Sequence, residues 1–212
     1  MPSSSPRPWL GSAVLALSGL AALPAVQAQQ LNAVDARAAW PERSLSACRT
    51  AQAEAADACL LRTMQKSGAR PQAIAAAKAL AASGNPGFIS AWRPLGKAGL
   101  ATVTYPFRAN TNQGSLLVGS DGAAVDIDAE PLRDADRATE TWRTFAAAHP
   151  ESLPFAPATL VGTTSSGDGG HSLLFSTPLK TCHACAADGS LLVSYSIDKA
   201  GIVRARQLLA IK

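Results

Sequence analysis

The sequence predicts an α+β domain, with an N-terminal helical hairpin packed on a mainly antiparallel β-sheet and one further helix. Three observations predict it. Helix caps and stops bracket two stretches within about residues 43–83. Apolar residues then alternate with a period of two from Ala101 onward. The later strands are joined by connections too short for a parallel crossover. Strands segregated from helices in this way give an α+β and not an alternating α/β architecture.

Ser44 and Ser46 are candidate N-caps for a first helix reaching about Lys66, with Gly68 as its stop. Arg70-Pro71 opens a second helix, because proline is pre-set for the first helical turn, and Ser83-Gly84 closes it. Ile74, Ala77 and Leu80–Ala81 fall on one face of that helix. Asn85–Lys97 is rich in Gly and Pro and reads as a connector, with Phe88, Ile89 and Trp92 anchoring it in the core. Val103, Tyr105 and Phe107 alternate with Thr102, Thr104 and Pro106, the pattern of a half-buried strand. Ser115–Gly119 and Ala123–Asp128 flank Ser120-Asp121-Gly122, whose Asp-Gly pair signals a tight hairpin. Asp134–His149 reads as one helix, acidic at its start, with Trp142 and Phe145 on one face and Pro150 as its stop. Four strands follow, near 158–163, 171–177, 190–197 and 202–209, the last two joined by Asp198-Lys199-Ala200-Gly201. The β-rich part therefore covers about residues 101–212, and no internal repeat is present.

Ahead of these elements, Met1–Ala28 has the three parts of a cleavable secretory signal peptide. Arg7 and the amino terminus supply positive charge, Trp9–Leu23 an apolar run, and Val26-Gln27-Ala28 small residues at −3 and −1. The run is about 15 residues where a spanning helix needs about 20, so cleavage is expected, not anchoring. Gln29, and not a cysteine, follows the cut, which argues against a lipoprotein. A periplasmic or secreted destination follows, with no stable membrane insertion after cleavage. The remaining 184 of 212 residues suit one domain with a real core. Apolar residues make up 47% and charged residues 16%, a globular balance. The leader holds one of the 19 basic residues and none of the 15 acidic ones, so the mature formal charge is 18 minus 15, or +3. No basic stripe with interleaved aromatics concentrates that charge, which excludes nucleic acid as an expected partner.

The segment Tyr105-Pro106-Phe107-Arg108-Ala109-Asn110-Thr111-Asn112, then Gly114 and an apolar strand, resembles a segment of uncharacterised exported bacterial proteins. Those proteins are similar to this chain in outline across most of its mature length, with two early cysteines in a helical region and a late C-x-A-C. The resemblance implies export and a shared fold, and implies no activity.

Four cysteines carry the strongest chemical signal: Cys48, Cys59, Cys182 and Cys185. An even count in an exported chain argues for disulfides, with three possible pairings. The local pairs Cys48–Cys59 and Cys182–Cys185 are favoured. Eleven residues of unbroken helix rise about 16 Å, whereas a disulfide tolerates about 7 Å between Cα atoms. The first pairing therefore requires a break, expected near Ala53–Asp57. Chain entropy gives about 3 kcal/mol for the 48–59 loop and about 5 for a 48–182 crosslink, which does not decide the connectivity.

Cys182-His183-Ala184-Cys185 is a C-x-x-C with an internal His, so thiol–disulfide chemistry is the alternative to a structural staple. The expected strand after Cys185 leaves no helix N-terminus to lower a thiol pKa there. Zinc wants four ligands, usually from two such pairs. Cys48 and Cys59 form no second C-x-x-C, and His149 and His171 lie at no ligand-like spacing. Ala186 stands where a c-type haem would need His. No metal and no cofactor is therefore expected. Asp126, Asp128 and Glu130 would share one strand face, which reads as a solvated sheet edge before it reads as a Ca²⁺ site. Ser196-Ile197-Asp198-Lys199 matches an S-x-x-K acylase motif but falls at a strand end with no Lys-Thr-Gly after it. His171 has no nucleophile placed beside it by any motif. No catalytic residue is assigned, and the chain reads as a non-enzymatic binding or structural domain. The Arg108–Gln113 loop is the best recognition candidate: Arg108, Asn110 and Asn112 can hydrogen-bond a carboxylate or a sugar, or simply satisfy a hairpin turn. The partner is left as a small molecule or a protein.

If the leader is cut where its small residues indicate, peptide mapping of the exported protein finds an N-terminal peptide beginning at Gln29. A full-length chain retaining Met1–Ala28 would contradict the leader.

Overall fold

The computed structural model describes residues 29–30, 34–41, 45, 48 and 53–212. The expected leader and the candidate caps Ser44 and Ser46 lie outside them. In chain order the strands are β1 (Gln29–Gln30), β2 (Phe88–Leu95), β3 (Ala98–Thr104), β4 (Gln113–Val118), β5 (Ala123–Asp126), β6 (Leu153–Pro154), β7 (Thr159–Ser165), β8 (His171–Lys180), β9 (Gly189–Ile197) and β10 (Val203–Ile211). The helices are α1 (Ala53–Lys66), α2 (Pro71–Ala82), α3 (Asp134–Arg137) and α4 (Glu140–Ala148).

The expected single sheet is two antiparallel sheets, of order β1-β5-β4-β3-β2 and β10-β9-β8-β6, with β7 also paired to β8. Alternation explains the layering. On β4, Leu116 and Val118 join Ala101 and Val103 of β3 against Ala76 and Leu80 of α2, while Leu117 points the other way. There it meets Leu173, Phe175, Val193 and Tyr195 of the second sheet. The first sheet is thus buried on both faces, helices on one side and the second sheet on the other. Its strands consequently read as nearly continuous apolar runs and not as a clean alternation.

Pro71 opens α2 and Gly84, at φ 79°, ends it. Its buried face is Ala73, Ala76, Ala77 and Leu80, so Ile74 and Ala81 sit at the margin and not at the centre. Helix α1 runs unbroken through Ala53–Asp57, where a break was expected, yet Cys48 lies 5.6 Å from Cys59 between Cα atoms. That disulfide is part of a cluster with Trp40, Leu60, Met64 and Phe88. Asn85–Lys97 is not a connector: β2 occupies most of it. Pro94 is tolerated because β2 is a sheet edge, where a missing N–H breaks no ladder. Phe88 and Ile89 are fully buried as anchors, and Trp92 lies across Gly99, where any Cβ would overlap the indole.

The expected helix over Asp134–His149 is two helices. Thr139 interrupts it by acting as a cap: its hydroxyl accepts from Trp142 N at 3.2 Å and donates to the Asp136 carbonyl at 2.6 Å. Asp136 is also held from the side. Its carboxylate meets Arg206 of β10 at 2.7 Å, with the two side chains only 9% and 6% exposed. The same guanidinium donates to the Pro131 carbonyl at 2.5 Å. This pair fixes the 127–139 segment against the second sheet. Removing one member of a buried pair leaves an uncompensated charge, so Arg206→Ala is expected to cost about 3–5 kcal/mol in urea unfolding. A loss under about 1 kcal/mol, typical of an exposed pair, would contradict this role.

Candidate functional site

At one end of the sheets, β3 and β4 are joined by a loop that carries Arg108. The ladder continues one step past β3, with Tyr105 N donating to the Asn112 carbonyl at 2.7 Å. The residues between must reverse within that closure, and Thr111 takes φ 52° to do so. A β-branched residue in the left-handed region costs about 1–3 kcal/mol and persists only where its surroundings impose it. Arg108 folds back over the Tyr105 ring, its guanidinium carbon 3.7 Å from the centroid, and donates to Asn85 Oδ1 at 2.6 Å. The loop therefore presents a guanidinium in one orientation.

The opposite wall begins where β5 ends. Asp126 Oδ1 accepts from Asp128 N at 2.9 Å, and this turn swings the Asp128 side chain inward. Asp128 Oδ2 accepts from Ser115 N of β4 at 3.0 Å, and its Oδ1 from Ala158 N at 2.7 Å. Ala158 belongs to the short excursion that separates β6 from β7 along the edge of β8 opposite β9. One carboxylate therefore joins the two sheets. Gly114 makes room for it: a Cβ there would sit 3.0 Å from Tyr105 Cε2 and 3.3 Å from Asp128 Oδ2. Burial pushes the Asp128 carboxyl above its ordinary range, outweighing the two backbone donors. Burial, with the charge of Asp126 second, pushes Tyr105 up to about 12.

These groups surround a cleft of about 200 Å³, lined by Arg108, Tyr105, Gln113, Asp126, Asp128 and Ala156 among others. Of the expected recognition residues, Arg108 is at the cleft. Asn110 and Asn112 are exposed and do not line it. The acids Asp126 and Asp128, expected on a solvated sheet edge with Glu130, are the missed members. Their i, i+2 spacing implies a shared face only if the strand continues, and β5 stops at Asp126. Glu130 instead turns to Arg133 at 3.4 Å. A wider depression of about 580 Å³ lies beside α4, where the Phe145 ring stacks on His149 at 4.7 Å. It has no buried charged side chain in its lining.

Cys182 and Cys185 are bonded to each other, 5.0 Å apart between Cα atoms, in the β8–β9 loop. Cys182 is exposed, and Cys185 N donates to the Cys182 carbonyl at 3.2 Å, a turn and not a helix start. His183 lies with its ring 5.9 Å from Phe155, whose neighbour Ala156 lines the cleft. The two candidates that sequence singled out, the Arg108 loop and the C-x-x-C, thus flank the same excursion. His171, at the start of β8, lies 3.5 Å from the Ser165 hydroxyl and away from the cleft lining. Ser196 and Lys199 sit on a strand and in a hairpin turn. Among the described residues, no three His, Cys, Asp or Glu gather as a metal-holding set.

Comparison of the chain with family models, with curated proteins and with solved structures finds no match.

Alanine at position 128 leaves the Ser115 and Ala158 N–H groups without an acceptor. Asp128→Ala is therefore expected to destabilise by about 1–3 kcal/mol for each buried donor left unpaired. Folding raises the Asp128 pKa above its ordinary 3.8, so the folded chain holds that proton more tightly than the unfolded one. The contribution of Asp128 is full below 3.8 and declines as pH rises through the raised folded value. In paired urea titrations, the deficit of Asp128→Ala should be largest at the acid end and shrink as pH climbs. A deficit that grows with pH would reverse the assignment.

Proposed function

We propose that this chain is an exported, non-enzymatic binding domain, stapled by two disulfides, that takes a small polar ligand in the Arg108 cleft. The cleft carries the reading. A guanidinium oriented on Tyr105 faces a volume of about 200 Å³ also lined by Gln113 and Asp126. Pre-set polar groups of this kind fix a ligand's orientation at little entropic cost. The strained Thr111 supports it, since left-handed β-branched residues collect at ligand clamps. The leader-like Met1–Ala28, the disulfides, which persist in oxidising compartments, and the resemblance of Tyr105–Asn112 to exported bacterial proteins support export to the periplasm or beyond.

The competing reading is a thiol–disulfide protein acting through Cys182 and Cys185, favoured by the exposure of Cys182 beside His183. Against it, no helix begins at Cys182, so no helix dipole stabilises a thiolate. Two measurements separate the readings. In a thermal-shift screen of small carboxylates, sugars and amino acids, a stabilising compound should lose about tenfold in affinity with Arg108→Ala, about 1.4 kcal/mol. The Cys182→Ser, Cys185→Ser double variant should keep that affinity. In thiol trapping across a glutathione series, Cys182–Cys185 should stay oxidised below about −300 mV. Titration between about −120 and −270 mV, where catalytic dithiols sit, would replace binding with redox chemistry.

A further inference from the structure

We infer that the ligand of the Arg108 cleft is zwitterionic, a free α-amino acid with its carboxylate on Arg108 and its ammonium on Asp126. This rests on the binding reading above and names its ligand class.

The charges at the cleft do not play equal parts. Each Asp128 oxygen already holds one backbone donor, Ser115 N or Ala158 N, so this carboxylate serves first as a structural clamp. Asp126 engages a single oxygen, Oδ1, with Asp128 N among the described residues. Its second oxygen is left for a donor. Arg108 spends one Nη2 hydrogen bond on Asn85, and the rest of its fork is left for an acceptor. One free positive and one free negative group therefore line the same small volume, together with the neutral amide of Gln113.

Three simpler ligand classes fit less well. A plain anion on Arg108 would sit beside the carboxylates of Asp126 and Asp128. A plain cation on Asp126 would sit beside Arg108. A neutral sugar is commonly gripped by an open aromatic face, but Tyr105 is buried, 3% exposed as a residue, and its ring is covered by Arg108 at 3.7 Å. Volume argues for a small molecule as well: about 200 Å³ lies under the lower end, about 300 Å³, of drug-sized pockets. A main-chain ammonium and carboxylate on one carbon supply both charges within that space.

Isothermal titration of the full mature protein with L-alanine, propionate, ethylammonium and glucose tests this. Propionate is alanine without its amine, and ethylammonium is alanine without its carboxylate. Wild type should bind alanine at least about tenfold tighter than either single-charge analogue, the loss expected for one missing charge-assisted contact. Arg108→Gln should abolish the preference of alanine over ethylammonium, and Asp126→Asn that over propionate. If propionate or glucose binds wild type as well as alanine does, and Arg108→Gln weakens it, the cleft is a binding site and the zwitterion assignment is wrong. If none of the four binds, both the assignment and the cleft reading for these ligand classes fall.

Discussion

Asp128 sends one carboxylate oxygen to each sheet, and the position of the cleft follows from that. Ser115 N belongs to the interior of the first sheet, and Ala158 N to the excursion that leaves the edge of the second. Each charge-assisted bond is worth about 1.5–3 kcal/mol. Burial of the carboxylate opposes them strongly enough to raise its pKa. The net stabilisation is therefore modest, and the larger effect is negative: without Asp128, two inward backbone donors have no acceptor. Where the sheets are clamped is thus decided by the cost of unpaired N–H groups more than by attraction.

The clamp also explains why the cleft is polar inside a fold with so apolar a core. Between the sheets, Leu117, Leu173, Phe175 and Val193 exclude water. At the Asp128 end the packing of Ile127 and Ala158 is joined by the carboxylate's hydrogen bonds, and Gly114 lacks the Cβ that would crowd Asp128 and Tyr105. Arg108 then lies on Tyr105 at the rim. The Phe155–Ala158 excursion forms the remaining wall and touches His183 of the exposed disulfide loop. The buried Arg206–Asp136 pair holds the chain just beyond Asp128, so the clamp is approached from a fixed direction.

The sequence was most legible where turns have strong local chemistry. Asp121-Gly122 and Asp198–Gly201 sit in hairpins, and Pro71 and Gly84 bound a helix, because those φ values are set by the residues themselves. It was least legible where a distant partner overrides a local signal. Pro94 reads as a breaker until β3 is known to pair only on one side of it. Thr139 reads as mid-helix until its hydroxyl is seen to cap Trp142. At the cleft, Arg108 was legible from its loop, while Asp128 was not, since its two acceptors' partners lie 13 and 30 residues away. The inward turn at Asp126 depends on β5 ending there, which no spacing rule announces.

Native-state amide hydrogen exchange at Ser115 and Ala158 tests the clamp most directly. If one carboxylate holds both sheets, the two amides should be protected in the wild type and should lose protection together when Asp128 is replaced by Ala. The Leu117 and Val193 amides, within the ladders, should change only by the global loss of stability. Full protection of both amides in the variant, or loss at one alone, would contradict the account.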